Sequence, residues 1–211
     1  MMRYIQLAVI LLLFILPIYF YGQVPDKVIS HWDAEGNPNG HMDKPLGLFL
    51  LPVITLMIYA LMKYLPGFDP MRKNAKGFEK EYDTFISIML LFMLMMESFI
   101  IVSNMGYDIP VSYPMGIGIA AIFYYTGTLL EKAKMNWFIG IRTPWTLSNE
   151  NVWNKTHALG GKLFRICGVI ALLGIFAPKQ YAIWIIIVPI LLVSLGIIVY
   201  SYLEYKKEIK K

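Results

Sequence analysis

The residues best equipped for chemistry crowd into one short stretch, HWDAEGNPNGHMD, residues 31–43. Asp33, Glu35, Asn37 and Asn39 alternate along it, with His31, His41 and Asp43 around them. Clustered oxygen ligands suit hard cations, and histidine suits zinc or another transition metal. His31, Asp33, Glu35 and His41 form the candidate ligand set for a divalent metal. The EF-hand pattern is absent, because Gly36 and Gly40 miss its glycine position and no glutamate closes the loop. Two other readings stand beside the metal. One is a solvated loop with GNPNG turn chemistry and Trp32 anchored at a membrane interface. The other is a contact surface for an external peptide, made by His31, Trp32, Asp33, Glu35, His41 and Asp43.

Glu97 is the second chemically notable residue, in MLLFMLMMESFIIVSN. It is the one carboxylate well within an apolar run, and such a residue is a functional candidate by default. Its expected partners are His31 or His41 folding inward, or a hydrogen bond from another helix to a protonated carboxyl. Enzyme signatures are missing: there is no HExxH, GxSxG, Walker loop or dinucleotide fingerprint. A membrane metallohydrolase of His31, Glu35, His41 and Glu97 has no recognised ligand spacing behind it, so no enzyme is expected. The lone Cys167 excludes an internal disulfide and reads as a small packed thiol.

A second polar island, KMNWFIGIRTPWTLSNENVWNKTHALGG, begins at Lys134. Its aromatics, Gly140 and Pro144 argue for a defined loop against the membrane face. Ser148 is the expected N-cap, with Glu150 near the positive end of the helix that follows. Val152, Trp153 and Thr156 then share a helical face, and His157 follows Trp153 at i+4. This pattern predicts a short interfacial helix that bends at Gly160–Gly161 into the next span.

These islands need scaffolding, and the composition says what kind. The chain of 211 residues is 57% hydrophobic and 16% charged, with a mean hydropathy of +0.56; soluble domains carry about 25% charge. A crossing of the hydrocarbon needs about 20 apolar residues. Six runs qualify: roughly 4–21, 46–65, 83–103, 112–131, 158–177 and 182–203. The first lacks a small-x-small cleavage pattern and reads as a membrane helix, not a signal peptide. The fold class is therefore all-α integral membrane: six transmembrane helices, a turn-rich outer loop and an interfacial helix before the fifth span. Gly116 and Ala120 allow close helix contact, and Pro17, Pro52 and Pro189 fall inside three spans. No repeat or pair of broken helices favours a transporter, which remains the alternative class.

Positive charge gives the orientation. Lys63, Arg72, Lys73, Lys76 and Lys80 surround the second connection, and Lys132, Lys134, Arg142 and Lys155 the fourth. The tail adds Lys206, Lys207, Lys210 and Lys211, whereas the other connections hold Lys27, Lys44 and Lys179. The positive-inside rule then makes both termini and the second island cytoplasmic, with residues 22–45 outside. The net charge of +5 reflects this sidedness and anionic lipid, and gives no argument for direct nucleic-acid binding.

Lys134, Asn136, Trp137, Gly140, Arg142 to Ser148, Trp153, His157 and Gly160-Gly161 together closely resemble the signature of the SdpI family of membrane immunity proteins. VPDKVISHWDAEGNPNGHMDK is similar to a domain of unknown function usually found N-terminal to it. The resemblance implies a multi-pass protein of a prokaryotic plasma membrane that gives immunity to a secreted, membrane-attacking peptide toxin. From the founding member it implies a further partner, a cytoplasmic transcriptional repressor held at the membrane. Asn136, Arg142, Thr143, Pro144, Trp145, Trp153 and His157 are the candidate docking residues for it, with Arg142 and Trp145 making the contact and His157 positioning the helix. Three parts follow: an N-terminal module (1–65, two helices and the outer loop), a third helix with its connections (66–111), and an SdpI-like module (112–211).

Overall fold

A computed structural model describes residues 2–210; Lys211, counted above in the basic tail, lies outside them. Helix α1 (Met2–Phe20) leads into a β-hairpin of β1 (Lys27–Trp32) and β2 (Pro38–Asp43). Then come α2 (Lys44–Tyr64), the one-turn α3 (Arg72–Ala75), α4 (Glu79–Asn104) and α5 (Ser112–Lys132). The short α6 (Pro144–Ser148) precedes α7 (Glu150–Leu173) and α8 (Lys179–Glu208). Five helical segments are long and apolar enough to cross a membrane: Met2–Gln23, Lys44–Phe68, Glu79–Asn104, Glu150–Phe176 and Lys179–Glu208. The fourth run expected from the sequence is the 21-residue α5, which is not among the five. It carries glycines, tyrosines and threonines where the others carry leucine and isoleucine.

Side-chain contacts set the direction of each long helix. Gln6 near the start of α1 donates to the Asp83 carbonyl (3.0 Å) near the start of α4. The Tyr82 hydroxyl donates to the Met62 carbonyl (2.8 Å) near the end of α2. Chain neighbours thus run antiparallel, with the hairpin, residues 105–111 and residues 174–178 gathered at one end. Residues 65–78 and 133–149 meet at the other, where Asn74 donates from Nδ2 to the Met135 carbonyl (2.7 Å). Helices α1 and α2 pack on α4, α7 and α8 pack with α5, and the α4–α5 contact joins the two groups.

The α5–α7 seam is built on small residues. A Cβ on Gly168 would press on the Ala120 carbonyl and the Tyr124 amide, and one on Gly161 on the Gly127 carbonyl. Without a hydrophobic drive between helices in lipid, such close approach supplies the dispersion contact that holds them. This corrects the bend expected at Gly160–Gly161. Helix α7 runs unbroken through both glycines, which make room for a neighbour and do not interrupt the helix. Pro17, Pro52 and Pro189 likewise lie inside continuous α1, α2 and α8. The N-cap expected at Ser148 belongs to Asn149, whose side chain accepts from the Val152 amide (3.1 Å).

The outer loop departs further from expectation, because it is a two-stranded hairpin. The register pairs Lys27 with Asp43, Val28 with Met42 and Ile29 with His41, then slips to pair His31 with Gly40 and Trp32 with Pro38. Its root is apolar: Val24, Val28, Leu48 and Ile101 form one buried cluster between hairpin, α2 and α4. Asn104 extends this clasp. It accepts from the Ile29 amide (2.7 Å) and donates to the Ile29 carbonyl (3.1 Å), imitating one residue of a third strand.

Candidate functional site

At the hairpin tip, Asp33 is occupied by the turn. Its Oδ1 accepts from the Glu35 and Asn37 amides, both at 2.9 Å, while Gly36 takes a left-handed φ of +83°. The N–H groups, Asn37's first, hold the Asp33 carboxyl below the usual carboxylate range. His31 bonds through Nδ1 to Asn39 Oδ1 (2.5 Å). His41 is exposed on β2, and Asp43 pairs with Lys27 across the strands (2.6 Å). His31, Asp33, Glu35 and His41 are thus not brought together: among the described residues, no three His, Cys, Asp or Glu side chains are placed to hold a metal ion. The alternation that suggested ligands is split between a turn and two bulged strands.

Glu97 is fully buried, and neither carboxylate oxygen has a hydrogen-bond partner. The expected approach of His31 or His41, or of a donor from another helix, is not found. The hairpin meets α4 instead through the Val28–Ile101 cluster, the Asn104 clasp on Ile29 and one aromatic contact. Trp32 packs on Phe99, ring centroids 4.9 Å apart, two residues beyond Glu97 along α4.

That packing opens a cleft of about 100 Å³. Trp32, Asp33 and Glu35 wall it from the hairpin, Ile109 and Val111 from the α4–α5 turn, and Ile186 from α8. Asp108 and Lys179 add one charge of each sign at its mouth. Of the expected outer contact residues, Trp32, Asp33 and Glu35 line this cleft, whereas His31, His41 and Asp43 lie on the hairpin away from it.

At the opposite end, residues 133–149 form a braced loop. Asn136 is fully buried and uses its whole amide. Nδ2 donates to the carbonyls of Lys134 (2.8 Å) and Ile139 (2.7 Å), and Oδ1 accepts from the amides of Phe138 (2.9 Å) and Ile139 (2.6 Å). Two donors and two lone pairs are the full capacity of the group. Asp69, from the neighbouring connection, accepts from the Trp137 amide (2.9 Å).

Trp153 and His157 form the floor beneath this loop. The rings stack at 3.9 Å and 18°, and the buried indole N–H donates to the Ala133 carbonyl (2.8 Å). His157 Nδ1 donates to the Trp153 carbonyl (2.8 Å), and Nε2 accepts from the Ile141 amide (3.0 Å). An amide donor on Nε2 requires that nitrogen to carry no proton, so the imidazole is the neutral Nδ1–H form. Gly140, at φ +122°, passes over these rings where a Cβ would collide with His157 and crowd Trp153. His157 therefore pins the loop to its helix.

The rest of the island reaches α8. Thr143 caps α6 in a reciprocal capping box with Thr146, and its hydroxyl meets that of Ser201 at 3.1 Å. Pro144 fills the first turn of α6, where its missing N–H costs nothing. Trp145 rests on Tyr202, centroids 5.1 Å apart. Arg142 is exposed and donates from Nη1 to the Trp137 carbonyl (2.7 Å). Sequence reasoning passed over Asn104, Asp69 and Ser201, since each acts across a long sequence separation that no local pattern signals.

Apolar helices between two differently structured ends define a multi-pass membrane protein. The family comparison fits that class: the signature of the SdpI/YfhL protein family matches residues 132–202, and a domain of unknown function (DUF1648) matches residues 8–56. The chain is 30% identical over 204 residues to the immunity protein SdpI of Bacillus subtilis (strain 168), covering 96% of this chain and 95% of the relative. The chain belongs to the SdpI/YfhL family. No solved structure matches it.

Proposed function

We propose that this protein is a membrane immunity protein that protects its cell from a membrane-active peptide, which it meets at the cleft beside the hairpin. The observation carrying this reading is the cleft itself: the hairpin, the α4–α5 turn and the first turns of α8, anchored by Trp32, converge on one recess at the same end of the bundle. The likeness to an immunity protein along nearly the whole chain supports it. In this reading α5 is the sixth crossing, since it runs antiparallel to α7 along the glycine seam and its length, at 1.5 Å per residue, is about 30 Å. Both termini and the braced loop are cytoplasmic, in keeping with the positive charges at that end. Expression of the chain in a peptide-sensitive bacterium is expected to raise the killing concentration of a membrane-active peptide from related strains at least tenfold. Normal membrane levels without protection against any such peptide would remove the reading.

The braced loop is the proposed docking face for a cytoplasmic repressor, with Arg142 and Trp145 at its centre. Arginine and tryptophan dominate interface energetics, and Arg142 is exposed on the hydrogen-bonded loop. Arg142→Ala is expected to abolish peptide-dependent recruitment of a repressor to membranes while leaving protein level and protection within twofold of wild type. A variant that fails to accumulate would make Arg142 structural, because its bond to Trp137 would then be what matters.

A further inference from the structure

We propose that the basic end of the bundle holds an anionic glycerophospholipid, phosphatidylglycerol in kind, in a site independent of the immunity reading. Two adjoining cavities make the site. The polar one, about 390 Å³, is walled by Arg72, Lys76, Glu79 and the Lys63–Asp83 pair. The apolar one, about 420 Å³, runs between the two helix groups, lined by Leu61, Phe85, Leu129, Phe138 and Phe164. Pro66, Tyr82 and Ile139 line both, so the cavities adjoin, a charged mouth beside an apolar channel. Each volume lies within the roughly 300–1,000 Å³ of ligand pockets.

Charge bookkeeping selects the headgroup. Lys63 and Asp83 neutralise each other at 2.5 Å. Asp69, in the connection before α3, is spent on the amides of Met71 and Trp137. Arg72 and Lys76 are exposed and make no ion pair among the described residues, leaving two cations free for a phosphodiester. Glu79, also exposed, repels a bare phosphate but accepts hydroxyl protons, as a glycerol headgroup offers. The channel suits an acyl chain: none of the extensive helix contacts joins α2 to α5 or α7, and Leu61 and Leu65, which line this gap from the α2 side, are exposed. Its occupant would touch Phe138 to Ile141 and therefore the braced loop.

The test uses the full chain, delipidated in mild detergent, with its thermal unfolding midpoint followed as lipid is added. Phosphatidylglycerol is expected to raise the midpoint saturably, while phosphatidylcholine and inorganic phosphate leave it unchanged. Each basic side chain near an anionic headgroup is worth about a factor of five, so R72Q/K76Q is expected to raise the half-saturating concentration about 25-fold. T126F, which fills the channel from α5, is expected to lose the response with an unchanged lipid-free midpoint. The proposal is overturned if phosphatidylcholine stabilises equally, if inorganic phosphate alone reproduces the shift, or if both variants respond like wild type. The last outcome would leave this face to a protein partner.

Discussion

Trp153→Ala is expected to destabilise the protein by about 3–5 kcal/mol, the usual range for emptying a buried tryptophan site, and to remove most of it from the membrane. The indole is fully buried among Phe78, Leu129, Ala133 and Ile139, which come from three different parts of the chain. Its removal strips one face from the His157 ring and leaves the Ala133 carbonyl without its donor. Trp153→Phe separates the two effects. It keeps most of the apolar contact and forfeits the N–H, so a smaller loss of about 1–3 kcal/mol is expected from the orphaned carbonyl. Gly140→Ala should resemble Trp153→Ala, because its Cβ would meet His157 and Trp153 on a backbone that disfavours side chains. Thermal unfolding in detergent and membrane abundance are the measurements. A Trp153→Ala protein with an unchanged midpoint would show that the stacked pair does not brace the loop.

The long apolar runs and their charged flanks made the helical membrane class legible, since length and hydropathy are properties of contiguous sequence. The loops were harder. KVISHW is a short strand with one fully buried side chain, Val28, and its partner strand contains proline and glycine, so no clean alternation marks the hairpin. The candidate ligands His31, Asp33, Glu35 and His41 share a stretch of chain but not a face, because register slips at His31 and Trp32 redirect the strand. Gly160–Gly161 suggests flexibility when read alone; only the facing Gly127 makes it a packing surface. Asn136 stood out as a polar residue in an aromatic loop, yet its four hydrogen bonds close within three residues and specify shape, not ligand. Trp153 and His157 were visible as an i, i+4 pair, whereas the Gly140 backbone they support was not.

Trp32→Ala is expected to lower peptide protection by about thirtyfold or more, with the protein still present in the membrane at near-normal level. Aromatic anchors at the centre of an interface contribute at least about 2 kcal/mol, which corresponds to that factor. Trp32 joins the cleft to the bundle: one side of the ring lines the recess, and the indole packs on Phe99. The hairpin has independent support at its root, from the Val28 cluster and the Asn104 clasp, so losing the tip contact need not unfold it. Trp32→Phe keeps an aromatic ring against Phe99 and should retain most protection. His41→Ala is the matched control, because His41 is exposed on the same hairpin but outside the cleft, and it should protect like wild type. Equal loss in Trp32→Ala and His41→Ala would assign recognition to the whole hairpin surface. Full protection by Trp32→Ala would move the peptide site away from this end of the cleft altogether.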